Sequence, residues 1–203
     1  MTQTEKDRMI ATAREWVGYC EKERHIFDNY DKLKAGAGVR NWTRFGRIFD
    51  LMLNGYDKLN KDGNSWCAMF VAAVLYESVA GRQDCSQRYG GLVRDDEAFA
   101  FVCRVAAGGG HIKWHAGVKA WLDSYKVRGM TGTTGAPGDF VVYLDDNGKP
   151  YHIGIVIDWD PRGTCFKTIE GNTSAYGDNV VPNGGCVAVK NRKMSKKVVF
   201  LKN

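Results

Sequence analysis

The sequence lacks long hydrophobic runs and an export signal, and each absence excludes a class of protein. No apolar stretch approaches the roughly 20 residues that a membrane-spanning helix needs, so we expect no membrane insertion. The N-terminal stretch MTQTEKDRMIATAREW carries charges of both signs instead of the basic start, apolar middle and cleavage site of a secretory signal. We therefore expect synthesis in the cytoplasm, and any action outside the cell would need another exit route.

Paired cysteine motifs are also missing. The six cysteines, at positions 20, 67, 85, 103, 165 and 186, form no C-x-x-C pair, which argues against structural zinc. Without an export signal, free thiols are expected rather than a disulfide framework. His111 and His115 lie four residues apart in GGGHIKWH, but no carboxylate or cysteine pattern completes a metal site around them. These residues therefore predict no bound metal.

The chain is basic, with a formal net charge of +6 and a pI near 9.0. Such a charge favours a polyanionic partner, and nucleic acid and anionic cell-wall polymers both qualify. The basic residues are scattered, however, and no nucleic-acid-binding motif of known spacing occurs. We therefore expect no nucleic-acid partner.

The first two thirds of the chain predict helices. An amphipathic helix is expected over residues 2–19, where TQTE carries a capping-box signature, and a buried helix over residues 67–78. Between them, to about residue 63, the sequence indicates loops around a short apolar segment, IFDLML. The chain predicts one domain, 1–203, with an insertion at about 80–135 in which DDEAFAFVCRVAA and AGVKAWLDSY are typical of helices.

The remainder predicts an antiparallel sheet. Five short β-rich segments are separated by turn signals such as DDNGK and DPRG. These segments are DFVVYL, YHIGIVIDW, TCFKTIE, CVAVKNRK and KVVFLK. Helices followed by antiparallel strands predict an α+β fold.

Cys67 stands where the buried helix begins, in NSWCAMFVAAVLYESV. A lone cysteine beside an apolar run is most often a small core residue. A helix N-terminus also stabilises a thiolate through its dipole and its unpaired N–H groups, and Asn64 and Ser65 are good capping residues just ahead of it. Both interpretations are open, because a nucleophile also needs a base and a group that orients the base.

His152 and Glu170 lie on two neighbouring predicted strands. If DPRG turns these strands into a hairpin with Trp159 opposite Thr164, His152 and Glu170 come within one residue of direct opposition. A bulge would alter this register. Each residue alone is more often structural. Together with a cysteine at a helix start, they supply the nucleophile, base and orienting group that amide hydrolysis requires.

Four blocks of the sequence, SWCAMFV, PGDFVVY, HIGIV and IEGNTS, resemble in order the core blocks of CHAP domains. These domains are cysteine, histidine-dependent amidohydrolases and peptidases of the papain-like superfamily. Upstream, GYCEK and NWTRFG resemble the segment that precedes the cysteine in CHAP modules of bacteriophage endolysins. The resemblance covers most of residues 5–79 and 136–203. It implies a papain-like (CHAP/NlpC-type) fold in which the cysteine-bearing helix packs on a C-terminal antiparallel sheet.

The resemblance also implies roles for particular residues. Cys67 would be the nucleophile, with its backbone N–H contributing to the oxyanion hole. His152 would act as general base and then acid, Glu170 would orient the imidazole, and Asn172 would be a further polar member of the site. The implied substrate is bacterial peptidoglycan, cleaved as an N-acetylmuramoyl-L-alanine amidase or as a cross-bridge endopeptidase. The implied setting is a phage lysin that reaches the wall through a holin-type pore or by other non-Sec release.

Three aromatic residues, Trp42, Phe45 and Trp66, are candidates for lining the substrate groove, and aromatic packing around the central helix is the alternative. The thiol mechanism needs no cofactor. Asp28 and Asp31 in FDNYDK could hold calcium, as in some relatives of this type, but the segment lacks the spacing of a calcium loop. We expect a monomer.

Other functions are open at this point. The same chemistry would serve an antibacterial effector or an enzyme that remodels the host wall. A non-catalytic wall-binding or phage structural module could keep the fold, because fold alone does not determine function. The catalytic hypothesis requires that Cys67, His152 and Glu170 meet in a cleft that solvent can reach.

Overall fold

The computed structural model describes residues 1–20, 43–53, 65–85, 92–175, 177–178 and 184–203. These ranges contain five α-helices and a six-stranded antiparallel sheet, so the predicted α+β class is confirmed. The helices are α1 (Gln3–Glu15), α2 (Arg44–Met52), α3 (Cys67–Ala80), α4 (Asp96–Ala107) and α5 (Val118–Val127). Within the described ranges, each helix is too short or too polar to cross a membrane.

The capping box predicted for the first helix is present. The Thr2 side chain accepts a hydrogen bond from the Glu5 amide at 3.2 Å, and the Glu5 carboxylate accepts one from the Thr2 amide at 2.7 Å. The helix ends at Glu15, four residues before the predicted end, and Trp16 caps it. Met9 and Ala13 form the buried stripe that holds α1 on the core.

A helix, α2, occupies a region that we predicted as loops around IFDLML. Thr43 caps it by accepting a hydrogen bond from the Gly46 amide at 3.1 Å. Its buried apolar side chains recur at helical spacing, which stabilises nine residues of helix despite the glycine-rich sequence before it. They are Phe45, Ile48, Phe49 and Met52.

The cysteine-bearing helix, α3, lies at the centre of the molecule. It begins at Cys67 as predicted, and every residue from Cys67 to Glu77 is buried. Its N-cap is Trp66, with no side-chain cap, so the predicted capping by Ser65 is wrong, and Asn64 lies outside the described residues. The helix contacts α1, α2 and α4 as well as two strands of the sheet.

The sheet follows the five strands predicted from the sequence, with one two-residue addition. The strands are β1 (Thr131–Gly132), β2 (Phe140–Leu144), β3 (Pro150–Trp159), β4 (Cys165–Thr173), β5 (Cys186–Lys193) and β6 (Val198–Leu201), and their order is β1-β6-β2-β3-β4-β5. Alternate residues of the central strands, including Ile153, Ile155 and Ile169, join the main core with the helices. The opposite face carries a second, smaller apolar cluster that includes Val156 and Phe200.

Two of the six cysteines form a disulfide, so the expectation of free thiols throughout is wrong. Cys20 and Cys186 are bonded, with their Cα atoms 4.1 Å apart. They meet because the chain after α1 pairs with the start of β5, where the Gly18 amide donates to the Val187 carbonyl at 2.9 Å and the Val187 amide donates to the Tyr19 carbonyl at 2.7 Å. The other four cysteines are free thiols.

Candidate active site

Cys67 occupies the first turn of α3, where the backbone N–H groups have no partner within the helix. The helix dipole at this end favours a negative charge, and thus a thiolate. The Ser65 hydroxyl lies 3.5 Å from Cys67 Sγ, close enough for a hydrogen bond in which either atom is the donor. The local sequence therefore places the thiol where ionisation is favoured.

His152 lies on β3 and is fully buried. Its Nε2 is 2.9 Å from Glu170 Oε2, so the ring donates to the carboxylate through that nitrogen. Its Nδ1 makes no conventional hydrogen bond within the described part of the chain and is the nitrogen left for the Cys67 thiol. The structure therefore brings the three predicted catalytic residues together in the order thiol, imidazole and carboxylate.

Cys67 and His152 perturb each other's titration. Burial raises the pKa of Cys67, but the neighbouring His152 imidazolium attracts the thiolate and holds the pKa below its ordinary value. Burial alone would lower the pKa of His152, but its interactions with Cys67 and Glu170 raise it to about 9. At neutral pH these directions favour a thiolate–imidazolium pair, which is the reactive form of a catalytic cysteine.

Glu170 reaches His152 across a glycine, in a register that differs from the prediction. Trp159 pairs with Phe166 rather than Thr164, and a bulge separates Val156 from Asp158. The pairing ends at Ile155 and Ile169. One step beyond, Gly154 faces Glu170, and a Cβ on Gly154 would lie 2.6 Å from Glu170 Cγ. The missing side chain leaves the space through which Glu170 reaches His152.

The Glu170 carboxylate is buried and holds four partners. Besides His152, it accepts hydrogen bonds from Tyr143 Oη at 2.8 Å, Thr168 Oγ1 at 2.6 Å and Arg192 Nε at 2.8 Å, and a second guanidinium nitrogen of Arg192 also contacts it. Burial raises its pKa, but His152 and Arg192 hold the pKa of Glu170 well below its ordinary value. Glu170 is therefore a carboxylate in the folded protein.

Four residues of this network were not predicted from the sequence: Ser65 as a thiol partner, Tyr143, Thr168 and Arg192. The sequence held no signal for Arg192, because β5 buries Lys190 and exposes Val189, the reverse of what their polarity predicts. In the structure, buried and exposed residues alternate along β5 from Ala188 onward, so the arginine falls on a buried position of CVAVKNRK. A charged residue on the inward face of a strand indicates a buried partner of opposite charge.

Asn172 contacts Ser65, whose hydroxyl also lies next to the thiol. Its Nδ2 donates to Ser65 Oγ at 2.9 Å, and its Oδ1 accepts from the Gly185 amide at 3.3 Å. Its φ of 57° is left-handed, a conformation that asparagine adopts more readily than most residues. It coincides with a bulge in the β4–β5 pairing. The predicted fourth site residue thus contacts the segment in front of Cys67.

A close contact between β4 and α3 holds the two halves of the site together. A Cβ on Gly171 would lie 2.5 Å from Phe70 Cβ, one turn beyond Cys67. Only a glycine allows the strand that carries Glu170 to approach the helix this closely. Backbone packing therefore determines how closely the strand that carries Glu170 approaches the helix that carries Cys67.

The aromatic residues proposed for the substrate groove are core residues where the structure describes them. Phe45 and Trp66 are completely buried and stacked, with ring centroids 5.4 Å apart. Phe45 also packs edge-on against Phe70 at 5.0 Å. The alternative of aromatic packing around the central helix therefore applies to both. Trp42 lies outside the described residues.

The thiol is not open to solvent in this conformation, contrary to the expected cleft. Cys67 is 1% exposed and His152 0%. A groove of about 610 Å³ is lined in part by Tyr143 and Arg192, two of the residues that bond Glu170. Neither Cys67 nor His152 belongs to its lining. Attack on a substrate at Cys67 requires a conformation in which the thiol is exposed.

The described residues contain no group of three histidine, cysteine, aspartate or glutamate side chains that could hold a metal ion. The residues considered for calcium, Asp28 and Asp31, lie outside them. His115 is buried, with its ring edge-on to Trp121, whereas the exposed His111 accepts a hydrogen bond from the Lys113 amide. The two histidines thus serve different local contacts.

Comparisons of the chain with protein-family models, with curated proteins and with solved structures found no match. The chemistry of the site must therefore be judged from its own geometry. A thiol at a helix start, an imidazole and an ionised carboxylate form the set that activates a nucleophile for acyl transfer.

Proposed function

We propose that this protein is a cysteine amidohydrolase of CHAP type, with a papain-like fold, that cleaves an amide bond of bacterial peptidoglycan. One observation supports it above the others: Glu170 bonds His152 Nε2, which leaves Nδ1 for a thiol at the start of α3. An imidazole that is bonded on one side to an ionised carboxylate and has its other nitrogen available to a neighbouring thiol can activate that thiol for attack on a carbonyl.

In the proposed reaction, the Cys67 thiolate attacks the amide carbonyl carbon, and the electron pair of the C=O bond moves to oxygen. The unpaired N–H groups at the start of α3 stabilise this oxyanion, and one such donor contributes about 3–4 kcal/mol in comparable enzymes. The His152 imidazolium then gives its proton to the leaving amine as the C–N bond breaks. Water hydrolyses the thioester, His152 accepts the proton of the water, and Cys67 is regenerated.

The choice of peptidoglycan is supported by the resemblance of SWCAMFV, HIGIV and IEGNTS to CHAP domains and by the positive net charge of the chain, which suits an anionic wall. We place the protein among phage lysins that act on the wall after holin-type or other non-Sec release. An antibacterial effector and an enzyme that remodels the host wall would use the same residues. The bond is that of an amidase or of a cross-bridge endopeptidase.

The test is the clearing of purified wall suspensions by the wild-type protein and by Cys67→Ala. We expect the variant to lose at least about 1,000-fold in rate. Cys165→Ala, which removes an exposed free thiol, is the matched control and should clear the suspension at the wild-type rate. Mass spectrometry of the soluble products then identifies the newly exposed amine and thus the bond. Equal clearing by wild type and Cys67→Ala would show that Cys67 is not the nucleophile.

A second candidate, a non-catalytic wall-binding module, is favoured by the burial of the thiol, which is 1% exposed. Such a module would sediment with the wall and release no soluble fragments. The same assay separates the candidates, because wall binding by wild type and Cys67→Ala alike, without any product, supports the binding module.

A further inference from the structure

Glu170 has two charged partners, His152 and Arg192, and only the first follows from the proposed chemistry. Arg192 lies on β5 and is 3% exposed. Its guanidinium contacts both carboxylate oxygens of Glu170, one through Nε at 2.8 Å and the other through a terminal nitrogen. This two-point pairing determines the orientation of the carboxylate as well as its charge.

We propose that Arg192 is a positioning residue that acts through Glu170: it holds the buried carboxylate at two points and takes up part of its charge, so that Glu170 orients His152 without immobilising the proton on it. The proposal rests on the proposed function, in which His152 must first hold a proton and then release it to the leaving amine.

The need for a second cation follows from burial. A buried carboxylate needs cations beside it to remain charged, and with His152 as the one cation in contact with it Glu170 would hold the imidazolium with its full charge. The imidazolium proton would then be harder to release to the leaving amine, and the carboxylate would lose the two-point contact that fixes its orientation. With Arg192 present, the four charges of Cys67, His152, Glu170 and Arg192 sum to zero in the thiolate–imidazolium state. The pair therefore forms in a site without net charge.

The guanidinium is itself held in place by contacts that do not involve the carboxylate. It donates a hydrogen bond to the Asp178 carbonyl oxygen, and its Cζ lies 5.3 Å from the centroid of the Tyr143 ring. Tyr143 in turn donates to Glu170. Arg192 thus connects the carboxylate to two separate elements, and its position is preorganised rather than dependent on Glu170 alone.

Other titratable groups also act on this pair. One is a cation, Lys190, which lies two residues before Arg192 on β5. It bonds Ser174 Oγ at 3.2 Å and the Gly177 carbonyl, and it attracts Glu170. Among the residues that the structure describes, the other groups that act on Glu170, His152 or Arg192 are Cys67 on α3, Tyr143 on β2, Tyr151 on β3 and Asp178 after β4. None of the four is a cation, so none replaces the charge of Arg192.

Removal of the guanidinium takes a buried positive charge away from His152 and Cys67. The imidazolium is then held more firmly and the thiolate less firmly, so the pKa values of both groups rise. We expect both limbs of the pH–rate profile of Arg192→Gln to move to higher pH by about one unit, a typical effect of one nearby charge. Arg192→Lys keeps the charge but not the two-point contact. We therefore expect both limbs of its pH–rate profile to stay near those of wild type while kcat falls.

The experiment measures the imidazole ¹⁵N chemical shift of His152 against pH in the full chain, alongside the pH–rate profile of wall hydrolysis. The variants are Arg192→Gln and Arg192→Lys. The control is Arg128→Gln, which removes an arginine bonded to carbonyl oxygens of Ser124 and Val105 between α4 and α5. We expect the control to lose thermal stability and to leave the titration of His152 unchanged.

Three results would overturn the proposal: an unchanged His152 titration in Arg192→Gln, an equal shift in Arg192→Lys, or an equal shift in Arg128→Gln. If Arg192→Gln does not fold, Arg192→Lys decides alone, since a His152 pKa displaced by a full unit despite the retained charge contradicts the proposal. The NMR titration needs no substrate. If the protein releases no wall fragments but the His152 titration shifts in Arg192→Gln, the proposed function is wrong and the proposed effect of Arg192 on His152 is supported.

Discussion

Glu170 and Gly154 lie on neighbouring strands, one residue beyond the Ile155–Ile169 pair, and the Glu170 side chain occupies the space that a Cβ on Gly154 would need. The carboxylate passes over the glycine and meets His152 Nε2 at 2.9 Å. The same glycine pairs with Val141 on its other side, so it lies in the middle of the sheet. A glycine in a strand interior weakens the strand. Here the absence of its side chain leaves room for Glu170 to reach His152.

Substitution of Gly154 should therefore separate activity from folding. We expect Gly154→Ala to displace the Glu170 carboxylate and to reduce wall hydrolysis by about 100-fold, the effect typical of a misplacement near 1 Å. Gly117→Ala is the matched control, because an added Cβ there would come no closer than 3.7 Å to a neighbouring atom. Rates are compared at equal folded fractions measured by circular dichroism. Equal activity of the two variants would contradict the assigned route of the Glu170 side chain.

The pH dependence of hydrolysis should show a broad alkaline range. The pKa of His152 is raised to about 9, so the imidazolium that protonates the leaving amine persists to that pH. The pKa of Cys67 is lowered, so the thiolate is present below its ordinary range. We expect kcat/KM on soluble wall fragments to be flat through neutrality and to fall above about pH 9. A fall centred near the ordinary histidine pKa of about 6.5 would contradict the thiolate–imidazolium pair.

Asn172 should prefer replacement by glycine over alanine, the reverse of an ordinary strand position. Its φ of 57° costs alanine about 1 kcal/mol but not glycine. Both variants lose the bond to Ser65, and we expect both to slow hydrolysis because the segment before Cys67 is released. The comparison is made by urea unfolding of Asn172→Gly and Asn172→Ala. The same pair at Asn191, an exposed residue of β5, should show alanine as the more stable.

Loss of the disulfide should destabilise the protein in oxidising buffer. Cys20 and Cys186 are 166 residues apart, so the bond closes a long loop, and we expect Cys20→Ser and Cys186→Ser each to lower the free energy of unfolding by about 2–4 kcal/mol. Cys165→Ser, at an exposed free thiol, should have no such effect. Thermal unfolding with and without a reductant gives the measurement. A melting temperature of wild type that is unchanged by reduction would contradict a stabilising bond.

The sequence by itself determined what depends on near neighbours. The capping box of α1, the start of α3 at Cys67 and the five long strands were all predicted, because propensity, spacing and turn signals act over a few residues. The helix α2 was missed although Thr43 and the apolar spacing after it were present. The glycine-rich sequence before this segment led us to predict loops, although the nine residues of α2 carry helical apolar spacing.

Tertiary structure decided what depends on distant pairs. The bulge before Asp158 changes the register that joins His152 to Glu170, and the Cys20–Cys186 bond joins segments that are far apart in the sequence. The burial of Cys67 and the pairing of Arg192 with Glu170 likewise follow from the packing of α3 and β5 with the strands between them. Local sequence specifies an element and its faces. Which residues meet across elements depends on the backbone distances and the space that the whole fold leaves between them.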